Sequence, residues 1–250
     1  MGGFEFFDFN ICLGMPRIPM YHFEQDASVV EAQLARLNIT GGLVRHTLGE
    51  ESHPSQANRH LTRALDGVER FRPVWAVMPH WTGEFPAPAR VVAEMKSAGA
   101  PAAVIYPETH GFSISSFATG ALLEALEEAG IVLMAPQSQV SLEAITKIAR
   151  AHPALHVVLM EVGYRKARDL YPLFEQCANV RIETSTYMLH NGIEEICHFF
   201  GAERLLFGSR CPLYNPGAAV AGVTYAGIGD EEKRLIAGKN AVGLLEGVRR

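Results

Sequence analysis

Nowhere does the chain stay apolar for the roughly 20 consecutive residues that a membrane-spanning helix needs. Cysteine is scarce. Cys12, Cys177, Cys197 and Cys211 are irregularly spaced and form no Cys-x-x-Cys pair, which excludes a disulfide framework and gives no sign of structural zinc. That usage points to a reducing, cytoplasmic setting. Basic charge is not in excess either, with 22 Lys and Arg against 27 Asp and Glu and a net charge of -5, so no field favours nucleic acid or an anionic membrane. The nucleotide fingerprint G-x-G-x-x-G and the phosphate loop G-x-x-x-x-G-K-[ST] follow none of the apolar runs, and G-x-S-x-G and H-E-x-x-H are absent. The opening run Met1–Gly14 is interrupted by Glu5 and Asp8 and has no basic lead, so a strand is expected there and not a leader peptide.

What is present is a short apolar run followed by a helical period, repeated from end to end. Candidate strands are Phe4–Ile11, Gly42–His46, Pro73–Met78, Ala102–Tyr106, Ile131–Ala135, His156–Met160, Val180–Glu183 and Leu205–Phe207. Amphipathic segments lie between them: Ser28–Leu37 behind an Asp26 cap, Arg90–Ser97, Gly120–Ala129 closed by Gly130, and Leu142–Arg150 stopped by His152-Pro153. Asn191 with Glu194 predicts a cap ahead of Ile196 and Phe199, and Glu231–Leu245 predicts a closing helix. Such alternation calls for parallel strands, and eight units in 250 residues predict a single-domain α/β (β/α)8 TIM barrel spanning 1–250. An open doubly wound sheet would alternate in the same way, but the missing glycine fingerprint weakens it. The stretches Glu50–His60 and Pro212–Gly229 are predicted to be the longest irregular pieces, and both follow strand ends where barrel enzymes place active-site loops.

The strand ends carry the chemistry. Strand alternation predicts that Asp8, Asn10 and Cys12 share one face. The run Leu205–Pro212, LLFGSRCP, resembles the LLFGSDxP motif that ends strand 8 of the amidohydrolase-2 (2-amino-3-carboxymuconate semialdehyde decarboxylase-like) family. Gly238–Leu245, GKNAVGLL, resembles that family's closing GxNAxxLL helix, Ala154–Gly163 is similar to its segment ending DHxG, and Phe7–Leu13 sits where IDxHxHL would open the barrel. The resemblance implies a metal-dependent fold family, yet at the corresponding positions this chain has Asn10, Cys12, Glu161 and Arg210, with Met134-Ala135-Pro136-Gln137 at strand 5. Asn and Pro are poor transition-metal ligands and a guanidinium does not deprotonate to become one. No metal and no cofactor are therefore expected.

Glu161 and Arg210 are expected to face each other across the barrel mouth, where Arg210 puts a fixed positive charge in place of a cation. Arg210, Glu161, Asn10 and Cys12 are the candidate catalytic residues; His46, His80, Gln137, His190 and Trp81 are candidates for substrate binding. The expected function is a metal-independent hydrolase or lyase acting on a small carboxylated or lactone substrate, a small anionic organic molecule. Two alternatives stay open: a non-catalytic barrel that binds an anionic ligand or a partner, and a metal hydrolase with a site rewired through Cys12 and Glu161, with His190 as a further ligand. Neither nucleic acid nor membrane is an expected partner, and a homo-oligomer is left open.

Overall fold

In a computed structural model residues 3–16 and 26–247 are described, and the statements below concern these. Eight parallel strands follow one another around a single sheet in sequence order. They are β1 Phe6–Leu13, β2 Ile39–His46, β3 Phe71–Ala76, β4 Ala102–Val104, β5 Val132–Pro136, β6 Val157–Met160, β7 Val180–Glu183 and β8 Leu205–Leu206. β5 and β6 are buried at every position, as strands covered on both faces must be. The ring nearly closes between β1 and the chain following β8, where Phe9 N donates to Phe207 O at 2.8 Å and Cys12 N donates to Cys211 O at 2.8 Å. The result is the expected single-domain TIM barrel.

Around it run α1 Ala27–Ala35, α2 Leu48–Glu51, α3 Pro54–Ala64, α4 Pro88–Ser97, α5 Pro107–His110, α6 Ser116–Ala129, α7 Leu142–Ala151, α8 Ala167–Gln176, α9 Gly192–Phe200, α10 Pro216–Thr224, α11 Asp230–Arg234 and α12 Asn240–Glu246. The Asp26 cap forms, with its Oδ1 accepting from Ser28 N at 2.8 Å and Val29 N at 3.3 Å. Gly130 ends α6 in the left-handed conformation at φ 69°. Three expectations fail. Glu50–His60 is largely helical because His53 caps and Pro54 starts α3, and Pro212–Gly229 contains α10, started in the same way by Asn215 and Pro216. Asn191 does not cap α9 with its side chain, since its backbone is left-handed at φ 53°. No helix among the described residues is long and apolar enough to cross a membrane.

Two apolar layers result. Strand residues including Phe9, Leu43, Val104, Met134, Val158, Met160 and Leu206 fill the barrel interior together with Ala241, Leu244 and Leu245 of α12, while the outward residues pack under the helices. β1 switches between these layers. Phe7 and Phe9 pack with the interior, but Phe6, Ile11 and Leu13 pack outward, so the alternation breaks between Phe9 and Ile11. There the pairing with β2 jumps from Asp8↔Gly42 to Ile11↔Val44, which puts three steps of β1 against two of β2. Asp8, Asn10 and Cys12 therefore do not share one face as strict alternation predicts.

The end of β3 needs help, because β2 pairs with it only as far as Val44↔Pro73. Asn58 on α3 supplies the missing neighbour: its Nδ2 donates to Ala76 O at 2.8 Å and its Oδ1 accepts from Ala76 N at 2.8 Å. Asn58→Ala leaves both buried backbone groups unpaired and is expected to cost roughly 2–4 kcal/mol. In urea unfolding the midpoint should fall with the slope unchanged; an unchanged midpoint would mean that Asn58 does not hold β3.

Candidate active site at the barrel mouth

The C-terminal ends of the strands gather a polar centre around Glu161, the first residue after β6. Its Oε1 accepts from Arg45 Nη2 of β2 at 2.6 Å and its Oε2 pairs with Arg210 Nη2 at 2.8 Å. The Glu161 and Arg210 side chains do meet, with Arg45 as a third member. Arg45 Nε also donates to Asn10 Oδ1 at 3.1 Å. Arg210 Nη1 donates to Tyr214 Oη at 3.1 Å, and the guanidinium lies over the Tyr214 ring at 5.1 Å. Burial grades outward, from 6% side-chain exposure at Arg45 and 14% at Glu161 to 22% at Arg210, so solvent meets Arg210 first.

Backbone geometry aims both partners. Glu161 (φ 58°) and Arg210 (φ 57°) are left-handed, a conformation that costs a residue with a Cβ and persists only where the surroundings impose it. For Glu161 the surroundings are Glu183, whose Oε1 accepts the Glu161 N–H at 2.7 Å. The same carboxylate accepts from Asn10 Nδ2 at 3.1 Å, Ser185 Oγ at 2.9 Å and Ser185 N at 2.7 Å. A Cβ at position 208 would collide with Glu183 Oε2, so glycine leaves room for this carboxylate beside the chain that follows β8. Beside Arg210, Asp8 accepts from Ser209 N at 3.0 Å, Asn10 N at 2.9 Å and the Ser209 hydroxyl, which ties the ends of β1 and β8 together.

Burial sets the protonation. It pushes the Asp8 carboxyl up to about 6 against the hydrogen bonds from Ser209 and Asn10. Glu183 is raised by burial in the same way. Burial raises the Cys12 thiol more than the Arg45 charge lowers it, and it raises the Cys211 thiol to about 12, so neither is a thiolate nucleophile in the free protein. Burial disfavours the Arg45 charge, but the acidic groups around it, Glu161 and Glu50 among them, lift its pKa well above the usual arginine value.

The other sequence candidates are more dispersed. His46 is buried with Nδ1 accepting from Leu48 N at 3.1 Å, and its ring stands edge-on to His60 at 4.8 Å; burial and His60 bring its pKa down to about 4. His80 stacks on Trp81 at 4.5 Å, and the Trp81 indole, itself 67% exposed, donates to Ala118 O at 2.8 Å. Gln137 lines an outer groove with Ser141 and Glu143 of the α7 region and Arg168 and Asp169 of α8. His190 is exposed. His110 Nε2 lies 3.1 Å from Glu50 O.

Sequence reasoning missed Arg45, Glu50 and Gln139. Arg45 was visible as a lone charge in an apolar strand, GGLVRH, which is itself a signal. Glu50 on α2 is held through its Oε1 by Gln139 Nε2 at 3.1 Å, and Gln139 also bonds Thr109 Oγ1 at 2.9 Å. Burial raises the Glu50 pKa, with Arg45 opposing. Among the described residues no group of three or more His, Cys, Asp or Glu side chains is gathered closely enough to hold a metal ion.

The family profile described as amidohydrolase matches residues 17–246. The chain belongs to this amidohydrolase family. No curated protein matches it. Among solved structures, a TIM-barrel protein from Bordetella bronchiseptica superposes with a TM-score of 0.79 at 16% identity, covering 98% of this chain and 100% of that one. The 5-carboxyvanillate decarboxylase of Sphingomonas paucimobilis gives 0.76 at 14% identity, over 98% of this chain and 99% of that one. The 2,6-dihydroxybenzoate decarboxylase from Rhizobium gives 0.69 at 14%, again over 98% and 99%. At these identities the likeness of this chain to the decarboxylases is one of fold.

The Asp8 environment predicts a pH signature. Its folded pKa of about 6 lies above the ordinary aspartate value of 3.8, so between these limits the folded state holds a proton that the unfolded chain has lost. Stability from this group is therefore present at low pH and declines as pH rises through the window, by up to roughly 3 kcal/mol. Asp8→Asn lacks the decline. The stability of native protein relative to Asp8→Asn, from urea midpoints, should drop between pH 4 and pH 7; a constant difference would refute the assignment.

Proposed function

We propose that this barrel binds a small carboxylated organic molecule at Arg210 and acts on it, as a hydrolase or a lyase, without a metal ion at the family's ligand positions. One observation carries this reading: a single carboxylate, Glu161, is shared by two guanidinium groups, Arg45 and Arg210. Glu161 cannot neutralise both, and burial shifts the nearby Glu50 and Glu183 toward their neutral forms. The mouth is therefore an anion site already holding one internal carboxylate.

The residues do not fit a divalent cation. Both Glu161 oxygens are taken by guanidinium groups, and Asn10 Oδ1 is taken by Arg45 Nε. Burial keeps the Cys12 thiol protonated. A divalent ion about 4 Å from one guanidinium meets repulsion on the order of 8 kcal/mol at an effective dielectric of 20, and here there are two such groups. This also argues against a site rewired through Cys12 and Glu161.

In the proposed complex the substrate carboxylate takes the place of Glu161 on Arg210, where a planar guanidinium matches it bidentately. The displaced Glu161, still hydrogen-bonded to Arg45, is positioned to move a proton, and Asn10 orients it through Arg45. The family and its decarboxylase neighbours support a carboxylated substrate. The same mouth without turnover would be a binding protein, a reading favoured by Glu183, whose oxygens are all spent on holding Asn10, Ser185 and the Glu161 backbone. The four described cysteines are unpaired thiols, in keeping with a reducing, cytoplasmic setting.

Calorimetric titration with benzoate tests the site. Arg210→Ala should abolish binding, whereas Glu161→Gln, which removes the internal competitor, should tighten it by about tenfold, or roughly 1.4 kcal/mol, despite a lower thermal midpoint. Weaker binding by Glu161→Gln, or native affinity in Arg210→Ala, would contradict the proposal.

A further inference from the structure

Tyr106 follows β4, and its side chain is wholly buried, with the ring in the barrel's interior cluster and edge-on to His110 at 5.8 Å. Its hydroxyl has no hydrogen-bond partner among the described residues. A buried phenol without an acceptor disfavours folding relative to phenylalanine, which would fill the same volume at no polar cost. Tyr106 stands just beyond the C-terminal end of β4, where a Cβ at position 49, next to Glu50, would lie 3.9 Å from its ring, and its hydroxyl is within electrostatic reach of Arg45, Glu50, Cys12 and Glu161. Burial raises its pKa, so at neutral pH it is a proton-bearing donor.

A second donor in the same mouth also lacks an acceptor among the described residues: Arg210 Nε is buried and unpaired there, although the other two nitrogens of that guanidinium are engaged by Glu161 and Tyr214. Two unpaired side-chain donors among the residues of the mouth call for an acceptor-rich ligand with two separate oxygen groups. A carboxylate alone satisfies Arg210. An ammonium or amide N–H facing Tyr106 would leave donor against donor.

We propose that Tyr106 is a ligand-binding residue whose hydroxyl donates to a carbonyl oxygen of the substrate, so that the class of ligand is an oxo-carboxylate, held by its carboxylate on Arg210 and by its carbonyl on Tyr106. This rests on the carboxylate site proposed above and extends it to the second functional group. Donation to that oxygen draws charge toward it, which favours both addition at the carbonyl carbon and loss of an adjacent group that leaves its electron pair behind.

Two probes separate the claims: benzoylformate, which carries a carboxylate and a ketone, and phenylacetate, which carries the carboxylate alone. Titrated calorimetrically, Tyr106→Phe should bind benzoylformate about tenfold more weakly than native protein and phenylacetate equally well, while its thermal midpoint is unchanged or higher because an unpaired hydroxyl has been removed. Arg210→Ala should lose both probes. Equal effects of Tyr106→Phe on the two probes, or none on either, overturn the role of Tyr106 while leaving the Arg210 site standing. Native protein that binds neither probe at millimolar concentration, or Arg210→Ala that binds both as tightly as native, overturns the site and this inference together.

Discussion

The mouth of this barrel is organised by one carboxylate held between two guanidinium groups. Arg45 projects from a strand into the barrel, where an unpaired charge would be prohibitive, and Glu161 at 2.6 Å makes its burial tolerable. The requirement propagates outward. To reach Arg45, Glu161 adopts a left-handed backbone, Glu183 holds the resulting N–H, and Gly208 leaves room for the Glu183 carboxylate. Asn10 links the two acidic groups by accepting from Arg45 and donating to Glu183. Its own position depends on the bulge that turns β1 over between Phe9 and Ile11. Asp8 and Ser209 then fix the neighbouring β1 and β8 ends and so aim Arg210 at the other Glu161 oxygen.

The architecture was legible because its signals are local and repeated. Runs such as Val157–Met160 are apolar over the full strand, and Gly130 and His152-Pro153 mark helix ends by their own stereochemistry. The misses have equally local causes. Proline at Pro54 and Pro216 looked like loop punctuation but stands at the first turn of a helix, where its missing N–H is harmless. The β1 bulge left no mark, since an inserted step depends on pairing with β2 and not on residue type. For the site, the charges of Glu161 and Arg210 at strand ends were readable one by one, and their contact followed from barrel symmetry. The role of Arg45 is not legible because only the folded ring brings β2 opposite β6, and that of Glu50 is not because it falls in a stretch that reads as irregular.

Function follows from charge. In a barrel of this family the chain keeps the strand-end scaffold of LLFGS and GKNAVGLL while the mouth carries arginines. An arginine pair offers fixed, directional donors in a partly dry pocket, where each hydrogen bond to an anion is stronger than in water. In the proposed reading such a pocket binds a carboxylate. Glu161, released from Arg210 by the substrate in the same reading, moves the proton, while burial brings Asp8, Glu50 and Glu183 toward their neutral forms.

The central claim is that two guanidinium groups on Glu161 stand where a cation would otherwise sit. It is tested most directly by elemental analysis of the full-length protein, purified without chelator, exposed to zinc or manganese and passed through gel filtration. The account predicts metal far below one equivalent in the native protein and no gain in thermal stability from either ion. Near-stoichiometric metal retained through filtration would contradict it, and would mean that Glu161 leaves the arginines to coordinate the ion.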